Sequence, residues 1–142
     1  MSEFENFTEF MKEYSRFFEE MAMAQKKKLN ILLSNDLKAI EEDILIQQAL
    51  AKRLDNYERK RMVLLDKLGY SNEPFKSVIL QADSKNQEIL RYCMNEMEAS
   101  LSDIQYYNQK SMEILKMNAA LLDIRNLTPK TYDASSGKQV QR

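Results

Sequence analysis

ILLSNDLKAI, residues 31–40, is the stretch on which the fold turns. Its apolar run stops at Ser34, Asn35 and Asp36, whose short polar side chains compete with a helical backbone for hydrogen bonds and can cap a helix that follows. The stretch therefore reads as a tight turn between two helices. Upstream, Phe4, Phe7, Met11, Tyr14, Phe18 and Met21 recur in steps of three and four, and Phe10, Phe17, Ala24 and Ile31 widen the stripe. Downstream, the period resumes through Ile40, Ile44, Leu50, Ala51, Leu54, Tyr57, Leu64, Leu65 and Leu68, and stops at Gly69, a residue suited to the left-handed position after a helix end. Each helix would run to roughly 45 Å at 1.5 Å per residue, and so short a turn makes them antiparallel.

GYSNEP, residues 69–74, forms a loop, with Pro74 placed to open another helix at its first turn. SKNQ, residues 84–87, matches a Ser-x-x-Gln capping pattern, which predicts a short helix before a longer one; a single kinked helix is the alternative. Leu90, Met94, Met97, Leu101, Ile104, Leu115 and Leu122 then carry the seam, joined by Cys93, Tyr107, Ile114 and Leu121, until Thr128-Pro129 ends it. The expected architecture is all-α: an antiparallel bundle of three long helices over residues 1–127, with a fourth short helix as an option. The helices are placed at about 3–33, 37–68, 74–82 and 85–126, followed by a non-helical C-terminal tail over 128–142.

Composition agrees with this pattern. Only two Gly and two Pro interrupt 142 residues rich in straight-chain helix formers. A formal net charge of -1 provides no global positive field for a nucleic-acid backbone. One cysteine, Cys93, cannot make an internal disulfide, and MSEFENFTEF places acids where a secretory leader carries basic and apolar residues, so a cytoplasmic location is expected. No stretch approaches the roughly 18 uncharged residues of a membrane span, which argues against direct membrane insertion.

The absence of histidine removes the usual general base and the common zinc or di-iron ligands, so no enzyme activity, metal or cofactor is expected. Glu41, Glu42 and Asp43 splay around a helix axis and are taken as a solvated face. Cys93 lies on the apolar seam, where a buried inert thiol is expected. The basic runs at 26–28 and 53–61 lie among compensating acids and read as soluble surface. Packing accounts less well for the Met and Tyr of the last helix, Met94, Met97, Tyr106, Tyr107, Met112 and Met117, which spread around more than one face. Flexible thioethers suit a surface that repacks around a partner, although they also fill gaps in a bundle. Asn108 and Asn118 interrupt the apolar stripe, where a polar residue either fixes register or meets a bound helix.

The hairpin KKKLNILLSNDLKAIEEDILIQQALAKRLDNYERKRMVLLDKLG, residues 26–69, resembles the FlgN family of flagellar type III export chaperones, where a small-polar-Asp turn joins two long helices. YYNQKSMEIL, residues 106–115, is similar to that family's Asn-Gln-x-Asn-x-x-Leu-Leu segment; Asn108 and Gln109 match, and Ser111 stands where the family usually has a second Asn. TYDASSG, residues 131–137, resembles its tail motif, a Tyr followed within a few residues by a Gly, with one extra residue between Tyr132 and Gly137.

The resemblance implies a cytoplasmic chaperone without ATPase activity. Such a chaperone holds hook-filament junction proteins and presents them to the cytoplasmic domain of the flagellar export gate's membrane protein. It places client binding on Tyr106, Tyr107, Asn108, Gln109, Met112, Leu115, Asn118 and Leu122, and gate docking on Tyr132 and Gly137. A self-associating helical bundle without a client is the alternative, since polar seam residues such as Gln25, Lys28, Gln47 and Arg61 can select a symmetric partner.

Overall fold

Local chemistry sets each helix end. Ser2 begins α1 (Glu3–Ser34) with a reciprocal capping box: its hydroxyl accepts from the Glu5 N–H at 3.1 Å, and the Glu5 carboxylate accepts from the Ser2 N–H at 3.5 Å. At the turn, Asn35 takes the left-handed conformation (φ 57°), and Asp36 caps α2 (Leu37–Leu68) by accepting from the Ala39 N–H at 3.2 Å. Gly69 ends α2 at φ 80°, with the Tyr70 N–H donating to Leu65 O at 2.9 Å and the Gly69 N–H to Asp66 O at 3.0 Å, the paired closure of a Schellman turn.

Two separate helices follow, α3 (Phe75–Leu80) and α4 (Ser84–Leu127), so the kinked single helix is not formed. Two details of the expected caps differ. Pro74 stands one position before α3, as its N-cap, because its ψ of 149° is extended. Asp83, not Ser84, caps α4: its carboxylate accepts from the Asn86 N–H at 2.8 Å, and an ionised oxygen is the stronger acceptor there. Gln87 is thereby released from the capping box and donates instead to Ile79 O at 3.1 Å, tying α4 to α3.

The computed structural model describes residues 2–127; for Leu122 and residues 124–127 it describes the backbone only. The expected tail over 128–142, with Tyr132 and Gly137, lies outside the described residues, as does the side chain of Leu122.

The protein is all-α, and its three long helices alternate in direction. α1 is central. It meets α2 antiparallel, pairing Tyr14 with Glu58, Glu20 with Arg53 and Gln25 with Gln47. It meets α4 in parallel, in a register that places Lys28 against Asn108. Among the described residues no Cα pair within 8 Å joins α2 to α4, so the two flank α1 without closing over it.

The apolar core is concentrated where α1 begins and α2 ends. Phe7, Met11, Tyr14, Phe17, Leu65, Leu90 and Cys93 are buried there, and α3 closes that end with Val78 and Ile79. Phe75 sets its edge against the Phe7 ring at 6.2 Å. Tyr57 keys α2 onto α1, stacking on Tyr14 at 5.1 Å and on Phe17 at 4.7 Å. Arg53 also lies over the Phe17 ring, at 4.6 Å, while pairing bidentately with Glu20 at 2.6 and 3.0 Å.

Several seam assignments require correction. Leu101, Leu115 and Leu121 are exposed, whereas Asn86, Ser100 and Ser111 occupy the buried α4 face. On α2, Ile44 and Ala51 are exposed. Small side chains at 100 and 111 sit where α4 lies against α1, and hydropathy does not mark them because it scores the residue rather than the space left for it.

Candidate functional site

Because α2 and α4 stay apart, a trough runs along α1 between them. Near the core end it holds a cavity of about 220 Å³ lined by Phe7, Met11, Tyr14 and Phe18 of α1, Glu58, Arg61 and Leu65 of α2, Phe75 of α3 and Met97 of α4. Its polar rim is ordered. The Tyr14 hydroxyl donates to Glu58, whose carboxylate also receives Arg61 at 3.0 and 3.1 Å. Burial, and then the hydrogen bond to Glu58, push the Tyr14 phenol well above its ordinary value. Burial opposes charge on Glu58, but Arg61 and Tyr14 outweigh it and hold the carboxyl below its usual 4.5.

Farther along, the trough floor becomes polar. Gln25 donates to Gln47 at 2.8 Å, Gln47 lies 3.5 Å from both oxygens of Asp43, and Lys28 donates to Asn108 at 2.9 Å. Together these five residues bridge α1 to both neighbours at one level. Desolvation lowers the Lys28 pKa, and the nearby Asp43 charge opposes that shift. Asp43 is 5% exposed, so the solvated face expected for the acidic run holds only for Glu41 and Glu42. Lys28 is likewise half-buried, unlike Lys26 and Lys27. The polar seam residues considered as selectors of a symmetric partner are satisfied within the chain: Gln25 and Gln47 by each other, Lys28 by Asn108 and Arg61 by Glu58.

On either side of the polar layer the trough walls carry apolar side chains, most of them exposed. Met97 and Asn108 mark the side of α4 that faces it, and by helical spacing Leu101, Ile104, Met112 and Leu115 fall on that side. On α2, Gln47 and Glu58 mark the corresponding side, which continues through Ile44 and Leu37. Leu37, Ile44, Leu101, Met112 and Leu115 are all exposed, between 44% and 71%.

The site residues expected from the sequence therefore divide. Asn108, Met112 and Leu115 share the trough side of α4. Tyr106 projects from another face, with its ring edge-on to half-buried Tyr107 at 5.3 Å. Gln109 and Asn118 are exposed, and Asn118 lies past the end of α1. The α2 wall, with Leu37 and Ile44, was missed as part of the site; its signal was the surplus of apolar residues over what one neighbouring helix can bury.

Ser111 is a distinct case. Its hydroxyl is buried and has no hydrogen-bond partner, at the position where the resemblance expects Asn. Cys93 is buried between α4 and α1, and burial pushes its thiol up, as an inert core thiol requires. Among the described residues no cluster of His, Cys, Asp or Glu is placed to hold a metal ion, and no helix is long and apolar enough to cross a membrane.

The fold is all-α, with α2 and α4 flanking α1 and exposed apolar side chains on both. No family model, curated protein or solved structure matches the chain.

Proposed function

We propose that this chain is a cytoplasmic flagellar export chaperone, which holds the helical termini of hook-filament junction proteins and delivers them to the type III export gate. The observation that carries the reading is the trough, floored by α1 and walled by exposed Leu101, Met112 and Leu115 on one side and Leu37 and Ile44 on the other. An amphipathic helix laid there buries its apolar stripe against both walls, completing a four-helix arrangement. Junction-protein termini left as monomers present such stripes and pair prematurely, so a protein that covers them prevents assembly without catalysis.

The family resemblance supplies the identity of the client. Its matching positions Asn108 and Gln109 lie in the same stretch of α4 as Met112 and Leu115. On this reading release needs only a competing partner, no nucleotide or metal takes part, and Tyr132 with Gly137 docks the loaded chaperone on the gate protein.

Calorimetry with the C-terminal helical segment of a hook-filament junction protein from the same genome tests the reading. Binding is expected with a negative heat-capacity change, weakened at least tenfold by Met112→Asp and unaffected by Tyr132→Ala. Absence of binding to any junction-protein helix refutes it.

A further inference from the structure

α4 outruns its support. In its parallel register with α1, the end of α1 at Ser34 lies level with the stretch just before Leu115, and α2 starts at that same end. Residues 115–127 therefore project as a helix of about 20 Å with no neighbouring helix among the described residues. Three helical turns standing alone in water are marginal, since helices of this length depend on tertiary packing. The projection is also apolar where nothing among the described residues covers it: Leu115, Met117 and Leu121 are 47%, 58% and 51% exposed.

The open trough presents the complementary deficit. Its bare α4 wall, from Leu101 to Leu115, is also about 20 Å long and faces Ile44 and Leu37 across α1. One chain thus carries a helix without a described neighbour and an open apolar wall of the same length, at the same end of the molecule. Leu115 belongs to both the wall and the projection, while Met117 and Leu121 lie on the opposite side of α4, the side that a helix seated in a trough turns to the second wall.

We propose that a second copy of this chain occupies the trough: two copies meet end to end about a two-fold axis, each laying its α4 projection into the other's trough. The contact is isologous, so it closes at a dimer and leaves neither projection bare. A formal net charge of only -1 imposes little repulsion between copies. In the dimer the two α4 helices run antiparallel past each other near Leu115, and each trough holds four helices. The proposal rests on helix lengths and exposed side chains; because this is the trough proposed to take a client helix, partner and client compete for it, and a client binds by displacing the partner's projection.

The full-length chain is examined by sedimentation equilibrium from about 1 to about 100 μM, beside Leu121→Asp on the projection and Ile44→Asp on the trough wall. Both positions are exposed, and circular dichroism with thermal melting verifies that each variant folds. A concentration-dependent dimer weakened at least tenfold by either substitution is the expected result. In a second measurement Leu121→Cys and Ile44→Cys proteins are mixed and oxidised. Mixed disulfide dimers are expected to form much faster than with Lys26→Cys, on the outer face of α1, in place of Ile44→Cys. A monomer throughout, a dimer indifferent to both substitutions, or cross-linking no faster than this control overturns the proposal. A monomer that still binds a junction-protein helix overturns it while leaving the client reading intact.

Discussion

Ser111 keeps a hydroxyl 2% exposed and unpaired at the α1–α4 contact. A buried hydroxyl without a partner forfeits its hydration and gains nothing in exchange, a loss of about 1–3 kcal/mol. Ser111→Ala is therefore expected to stabilise the protein by about 1 kcal/mol, seen as a higher urea midpoint with an unchanged slope. Leu115 shows the opposite mismatch. Its apolar character placed it on a buried seam, yet at 47% exposure Leu115→Asp is expected to change folding stability by no more than about 0.5 kcal/mol. Thermal unfolding of that variant checks it, and a large loss would restore Leu115 to the core. Glu58 gives a pH signature. Its folded pKa lies below the unfolded value near 4.5, so its stabilisation is complete above that value and is lost as the pH falls through the lower folded value. Relative to Glu58→Gln, the native protein is expected to lose its advantage as the pH falls below the ordinary value of 4.5 in parallel urea titrations.

At the scale of the element, helix ends were legible because their causes are local. Ser34-Asn35-Asp36 and Gly69 state a turn and a stop within a few residues, and the structure places α1, α2 and their caps there. At Gly69 the cause is conformational alone: φ is 80° and nothing lies within 4 Å of an added Cβ. Gly69→Ala is expected to cost about 1 kcal/mol by strain at that φ, measurable by denaturant titration, with Gly69→Asn costing less. Which face of a helix is buried is a different kind of question, decided by neighbours distant in sequence. On α1, wrapped on two sides, nearly every apolar stripe residue is inside, and reading the stripe as core worked. On α2, held by one neighbour, the same reading placed Ile44 and Ala51 inside when they face out. The candidate site suffered likewise: its α4 wall was visible as an excess of Met and Tyr, but its α2 wall requires knowing that, among the described residues, no Cα pair within 8 Å joins α2 to α4.

Across the whole molecule, burial is uneven. Phe17, 2% exposed, packs against Tyr57 and Arg53 at the packed end, while Leu45, 67% exposed, lies on α2 away from the core. Phe17→Ala is expected to cost about 3–5 kcal/mol and Leu45→Ala less than about 0.5 kcal/mol, a contrast that calorimetric unfolding of the two variants resolves. The register of Lys28 on Asn108 has a further consequence, for the order in which the molecule is made. α1 and α2 can pair through a two-residue turn, but α1 reaches α4 only across some eighty residues of intervening chain, a closure that is slow as well as costly in entropy. During synthesis the hairpin is complete while α4 is still inside the ribosome. A nascent chain paused at that point carries the face of α1 that awaits Leu90 and Cys93 uncovered, and is then most open to aggregation.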